Sequence, residues 1–145
     1  MRGLLQRVRR AAVVVEGVEV GAIQRGVLLL LGIARADTPT QADALLARVL
    51  RYRLFPDAQQ RMNLGLADVG GGLLVVSQFT LMADTRKGLR PSFTPAAAPE
   101  QAEALYRHFV TRARERHAPV ACGMFGADMQ VELVNDGPVT LLLEV

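Results

Sequence analysis

Apolar and polar residues alternate at a period of two through the opening of the chain, and the period lengthens to three or four in two later stretches. Period two marks strands with one buried face, and the longer period marks helices with one buried stripe. Residues 2–9 and 11–16 read as strands, the second running through Val13-Val14-Val15. Glu16-Gly17 marks a turn, after which Val18-Glu19-Val20 resumes the alternation. Arg25-Gly26 turns the chain into an unbroken apolar run over 27–34, the pattern of a buried strand. Thr38-Pro39-Thr40-Gln41 then supplies a capping hydroxyl, a proline at the first helical position and a glutamine at the third. Ala42, Leu45, Leu46, Val49 and Leu50 follow on one face, predicting a helix that ends near Tyr52.

Gly70-Gly71-Gly72 precedes a predicted strand over Leu73–Leu81. The segment Ala83–Ala98, with Arg86, Lys87, Gly88, Arg90, Pro91 and Pro95, is too interrupted for regular structure and reads as a basic loop. A second helix opens near Pro99-Glu100-Gln101, with its acid at the positive end of the dipole. Its buried face is Ala102, Leu105, Tyr106, Phe109, Val110 and Ala113. Two final strands, Gln130–Asn135 and Val139–Val145, flank Asp136-Gly137-Pro138. About seven strands and two helices, with hairpin-length connections early and late, predict an α+β fold: mainly antiparallel sheet with both helices packed on one side. No repeat, linker or low-complexity tract interrupts residues 1–145, which read as one domain.

Composition narrows the class. Half of the 145 residues are hydrophobic and 21% charged, which excludes intrinsic disorder and allows one good core. Five Phe, two Tyr and no Trp make that core aliphatic. A lone cysteine, Cys122, cannot close an internal disulfide, so the chain reads as intracellular; in Val120-Ala121-Cys122-Gly123 a buried, inert thiol is expected. Gly3-Leu4-Leu5 is too short for a secretory core, and the run from Val27 to Ala34 is less than half a membrane span, so a cytoplasmic protein without a membrane partner is expected. Net charge is +3, and Lys87 is the only lysine among 17 basic residues. Arginine suits an RNA partner, and it equally reflects a GC-rich genome, so charge alone decides nothing.

Familiar catalytic devices are missing. A Ser-His-Asp triad needs an imidazole base, and the two histidines, His108 and His117, sit on an Arg-rich helix and at its end. One Cys, two His and scattered acids form no metal-ligand spacing, so neither a metal nor another cofactor is expected. Gly70-Gly71-Gly72 lacks the lysine and hydroxyl of a phosphate loop. What remains is Ser77-Gln78-Phe79-Thr80 at the end of an apolar run. On a strand, Ser77 and Phe79 face one way and Gln78 and Thr80 the other. The cluster is either an edge-strand feature or, if the strand ends there, a site where freed backbone N–H groups act as an oxyanion hole. Asp136-Gly137-Pro138 is by itself a good hairpin turn.

Taken together, Ser77-Gln78-Phe79-Thr80-Leu81 and Asn135-Asp136-Gly137-Pro138-Val139-Thr140 resemble one family, the D-aminoacyl-tRNA deacylases. Ala83-Asp84-Thr85-Arg86-Lys87-Gly88 and Phe125-Gly126-Ala127-Asp128-Met129 extend the likeness, which runs from Met1-Arg2 and Gln6-Arg7-Val8 to Leu141-Leu142-Leu143. The resemblance implies a homodimer with a two-layer sheet that hydrolyses the ester between a D-amino acid and tRNA, proofreading chirality in translation. It implies substrate-assisted catalysis, in which the 2′-hydroxyl of the terminal adenosine helps activate the attack. Main-chain groups near Phe79 and Thr80 would hold the carbonyl oxygen, with Thr80, Ser77 and Gln78 orienting the ester or a water. Phe125 and Met129 match adenosine-contacting positions, the alternative being core packing. Gly137-Pro138 matches a cis peptide that enters the partner subunit's site and blocks L side chains; Arg7 matches the residue that holds it, or is a plain strand-face arginine. Glycyl-tRNA, with no side chain to exclude, would be cleaved too. Arg86, Lys87 and Arg90 would meet the tRNA backbone, and no DNA partner is implied. The rival expectation is a non-catalytic module binding RNA 3′ ends.

Overall fold

The computed structural model describes residues 1–145. Its strands are β1 (Arg2–Val15), β2 (Val18–Ile23), β3 (Gly26–Gly32), β4 (Phe55–Pro56), β5 (Met62–Leu64), β6 (Gly72–Ser77), β7 (Val120–Cys122) and β8 (Gln130–Glu144). Its helices are α1 (Pro39–Arg51) and α2 (Pro99–Arg116), with a 3-10 turn over Phe79–Met82. The main sheet runs β2-β1-β3-β6-β7, and β8 pairs along β1. Pairing around β1 is antiparallel throughout, while β3-β6 and β6-β7 are parallel. The fold is α+β with a mostly antiparallel sheet, as the pattern predicts. The parallel portion arises because α1 and α2 carry the chain back across the sheet, which a hairpin cannot do.

Residues 27–31 and 73–76 are apolar without interruption because both of their faces are covered. Val27, Leu29, Leu31, Leu73 and Val75 point into the core shared with α1 and α2. Leu28, Leu74 and Val76 point the other way, against Val8, Ala11, Val13 and Ile23. β1 serves both layers: Leu5 belongs to the helix-side core and Val8, Ala11 and Val13 to the opposite one. It changes partner along its length, pairing with β3 over Arg2–Val8 and with β2 over Ala11–Val15. Register breaks against β8 at Gln6/Val8 and Val8/Arg10 accompany the crossing, since a bulge bends and twists a strand. What reads as two strands over 2–9 and 11–16 is therefore one bent strand.

Helix α1 begins with the predicted capping box, in which Thr38 accepts from the Thr40 amide and the Gln41 side chain returns to the cap backbone. Its buried stripe is Ala42, Leu45, Leu46 and Val49, the two leucines and the valine each contributing about 1.5–3 kcal/mol. In α2 the buried stripe is Leu105, Tyr106, Phe109, Val110 and Ala113. Both helices thus pack on one side. No helix is long and apolar enough to cross a membrane.

Three further expectations are corrected. The strand over Leu73–Leu81 stops at Ser77, because the Gln78 amide makes the last rung to the Leu31 carbonyl and β3 itself ends at Gly32. The final segment is not a hairpin: Val8 pairs with Asn135 and Gln6 with Thr140, so the chain leaves β1 at 136–139 and rejoins the same strand in the same direction. Cys122 is half-buried rather than buried, at the edge strand β7, where Arg114 Nη2 lies 3.4 Å from its sulfur. The short strands β4, β5 and β7 carry too few residues to show a period.

Candidate functional site

A pocket of about 460 Å³ opens where β6 gives way to the 3-10 turn. Ser77, Gln78 and Phe79 line one side and Phe125 and Met129 the other, with Leu31, Ile33, Ala102 and Val131 among the apolar walls. The two sides are about 50 residues apart in the chain. They meet because β7 pairs with β6 and the 123–129 connection folds back over the end of that pair.

The turn at 78–82 sets the polar geometry. Leu81 N–H donates to the Gln78 carbonyl at 3.2 Å and Ala83 N–H to the Thr80 carbonyl at 3.1 Å. The amides of Phe79 and Thr80 fall inside the first of these rings and have no partner within the turn. Gln78 Nε2 donates to Thr80 Oγ1 at 2.5 Å, tying Thr80 to the pocket wall although it does not itself line it. Gly32 permits this approach: a Cβ there would lie 2.9 Å from Leu81 Cβ and 3.2 Å from the Gln78 carbonyl oxygen. The faces predicted from strand alternation do not apply past Ser77, since the backbone has left the sheet.

Two further aromatics pack against the pocket's lining: Tyr106, expected only as part of the buried face of α2, and Phe93, to which sequence reasoning assigned no role. Tyr106 reaches from α2 with its hydroxyl 2.9 Å from the Val75 carbonyl and 3.2 Å from that of Gly123, and its ring is 5.8 Å from Phe125. Burial raises its phenol above the ordinary value, so it stays protonated and serves as a donor to carbonyls rather than as a base. A tyrosine on an otherwise apolar helix face needs such a partner, and that was the available signal. At the mouth, Phe93 meets the 58% exposed Phe79 edge-on at 5.0 Å.

Gly137, Pro138 and Arg7 form a second constellation elsewhere. Arg7 Nε donates to the Asp136 carbonyl at 2.9 Å and its Nη1 to the Leu54 carbonyl at 2.7 Å. The Asn135 side-chain amide closes the neck, donating to the carbonyls of Arg7 at 2.9 Å and Val139 at 3.0 Å. Arg9 Nε adds a bond to Asp136 Oδ1 at 3.2 Å. Asn135, Asp136 and Arg9 thus brace the excursion, roles that emerge only with the pairing of β8 on β1. Gly137 has a φ of +130°, open to glycine, and a Cβ there would sit 2.9 Å from Arg7 Nη2. The Gly137–Pro138 peptide is cis, and both residues are exposed. They do not reach their own chain's pocket. Gly3, Leu31 and Ser77 lie side by side across the sheet, as do Arg7, Val27 and Leu73, which separates the two constellations by four positions, about 13 Å.

The basic loop follows the 3-10 turn. Arg86 forks onto Asp84 at 2.9 and 2.6 Å, holding that carboxyl well below the usual carboxylate range, while Lys87 and Arg90 are exposed and unpaired. His108 bonds Asp43 at 3.0 Å and His117 the Gly71 carbonyl at 2.7 Å, both away from the pocket. No group of three or more His, Cys, Asp or Glu side chains is arranged to hold a metal ion.

A two-layer α+β fold with an aromatic-lined pocket beside a polar 3-10 turn defines the class, and comparison with known proteins gives the family. The model of the D-Tyr-tRNA(Tyr) deacylase family matches residues 4–144. A D-aminoacyl-tRNA deacylase of Cellvibrio japonicus is 63% identical over 145 residues, covering 100% of this chain and 99% of that protein. One from Stutzerimonas stutzeri is 61% identical over 144 residues, covering 99% of each. A solved structure described as "c-Myc DNA Unwinding Element Binding Protein" superposes with a TM-score of 0.95 at 40% identity, over 100% of this chain and 99% of that one. The chain belongs to the D-Tyr-tRNA(Tyr) deacylase family. It is accordingly a hydrolase acting on aminoacyl-tRNA.

Proposed function

We propose that this deacylase cleaves D-aminoacyl and glycyl esters of tRNA and spares L-esters, working as a homodimer in which each Gly137–Pro138 excursion screens the other subunit's pocket. The observation that carries this reading is the separation of the two constellations: an exposed, braced Gly-Pro projection that cannot reach the pocket of its own chain. A two-fold contact would bring each projection to the opposite pocket, and isologous dimers are the commonest assembly. Rigid backbone excludes a side chain by its direction, whatever its identity. Complementarity to one side chain would yield only about 1–3 kcal/mol per methylene, too little to spare an abundant L-substrate. Glycine presents nothing to exclude.

In the reaction a water adds to the ester carbonyl carbon, the bond to the ribose 3′-oxygen breaks, and the free amino acid and tRNA leave. The amides of Phe79 and Thr80 stabilise the developing oxyanion. Thr80, fixed by Gln78, orients the ester or water with Ser77, and Phe125 with Met129 grips the terminal adenosine. The 2′-hydroxyl relays the proton that no nearby imidazole can take.

The test is release of free amino acid from tRNA charged with D-tyrosine, L-tyrosine or glycine, together with mass in solution at micromolar concentration. D-tyrosine and glycine released without L-tyrosine, from a dimer, is the expected result. A fully active monomer would remove the trans screen, and binding without release would leave a module for RNA 3′ ends.

Electrostatics at the loop gives a further expectation. Lys87 and Arg90 changed together to alanine should raise KM and lower the slope of log kcat/KM against log salt by about 1–2. Arg86→Ala should do less, because Asp84 already occupies its fork. An unchanged slope in the double variant would return the loop to ordinary solvated surface.

A further inference from the structure

A shallow cavity of about 360 Å³ beside the C-terminal end of α1 is lined by Ala47, Arg48, Arg51, Tyr52 and Arg53, with no carboxylate in its wall. Arg51, Tyr52 and Arg53 are exposed, and neither arginine has an ion-pair partner. The helix dipole favours Arg48 and Arg51 in the last turn. It does not account for Arg53, past the helix end, nor for Arg25, which arrives from the β2–β3 turn with its guanidinium 5.3 Å above the Phe55 ring. Two side-chain contacts bound this cluster: Arg48 Nη1 donates to the Glu144 carbonyl at 2.7 Å, and Arg7 holds the other end. Arg7 bonds the carbonyl of Leu54, next to Arg53, and with its other arm the carbonyl of Asp136, next to Gly137. Arg53 and Arg25 therefore lie beside the base of the Gly137–Pro138 excursion, while Arg48 is turned toward the end of β8.

We propose that Arg25, Arg51, Tyr52 and Arg53 form a second RNA-backbone surface, which grips the tRNA whose aminoacyl end occupies the other subunit's pocket. The inference rests on the reading that Gly137–Pro138 enters that pocket, since whatever flanks the base of the projection then borders the pocket's mouth. Guanidinium forks match phosphate geometry, and an exposed tyrosine among them offers a face to an unpaired base. Each tRNA is then held by both subunits: by the loop that follows the pocket's own 3-10 turn, and by the arginine cluster of the chain that supplies the screen.

The experiment uses the whole chain of residues 1–145 carrying Arg51→Glu and Arg53→Glu, both at exposed positions. Binding of uncharged tRNA, followed by fluorescence anisotropy across a potassium chloride series, should weaken at least about tenfold at low salt, with a salt slope lower by about 1–2. Hydrolysis of 3′-D-tyrosyl-adenosine, too short to reach the cluster, should be unchanged. Wild-type affinity and slope in the variant would overturn the inference, and so would equal losses on tRNA and on the adenosine ester, which would mark a general effect on the pocket. Failure of the underlying reading is separately visible, as a monomeric or inactive wild-type protein.

Discussion

Replacing Arg7 with alanine is expected to cut the preference for D- over L-tyrosyl-tRNA by roughly ten- to a hundredfold, the range that misplacement of a site by about 1 Å produces. Arg7 is 11% exposed and is the one side chain that joins the excursion to a fixed point of the core, through the Leu54 carbonyl. Its loss leaves two carbonyls without a donor, at about 1–3 kcal/mol. For a chain of this length that corresponds to a Tm lower by about 3–10 °C, still a folded protein at assay temperature. The Asn135 bonds at the neck remain, so the excursion loosens rather than unfolds. Arg7→Lys should recover stability better than selectivity, because an ammonium cannot reproduce a planar fork that reaches two carbonyls. The measurement is the ratio of kcat/KM for the two charged tRNAs. A folded variant with the wild-type ratio would reduce Arg7 to a strand-face residue and detach Gly137–Pro138 from chirality.

Substituting 2′-deoxyadenosine at the end of the tRNA, with D-tyrosine on the 3′-oxygen, is expected to slow hydrolysis by about 10²–10⁴, the contribution of a positioned acid–base group. Nothing in the pocket replaces it. Tyr106 donates to main-chain carbonyls with a raised pKa, and both histidines are engaged elsewhere. Thr80→Ala is expected to cost no more than about a hundredfold, a positioning loss, since its hydroxyl is held by Gln78 and the proposed mechanism gives it no covalent intermediate. Single-turnover rates with the two tRNAs separate the cases. Full activity on the deoxy substrate would move the proton relay to a protein group, and an acyl group trapped on Thr80 or Ser77 would replace positioning with nucleophilic catalysis.

Much of the secondary structure follows from the sequence alone because its determinants are near neighbours in the chain. The Thr38–Gln41 box, the stripes from Ala42 to Val49 and from Leu105 to Ala113, and the two-sided apolar runs of β3 and β6 each act within a turn or a few residues. The motifs at 77–81 and 135–140 carry the family resemblance in the same way, as short strings. What they do in space was not legible. Whether the chain continues as a strand past Ser77 depends on β3 ending at Gly32, and whether Asp136-Gly137-Pro138 is a hairpin or an outward excursion depends on β8 pairing with β1 on both sides of it. Partners of that kind lie tens of residues to well over a hundred away, and no local period reports them. The meeting of Ser77, Gln78 and Phe79 with Phe125 and Met129, the bracing of Asp136 by Arg7, and the placing of Arg25 over the Phe55 ring are all decisions of the tertiary structure. A local pattern dictates which face a residue turns to the core; only the packed sheet dictates what waits on the other side of it.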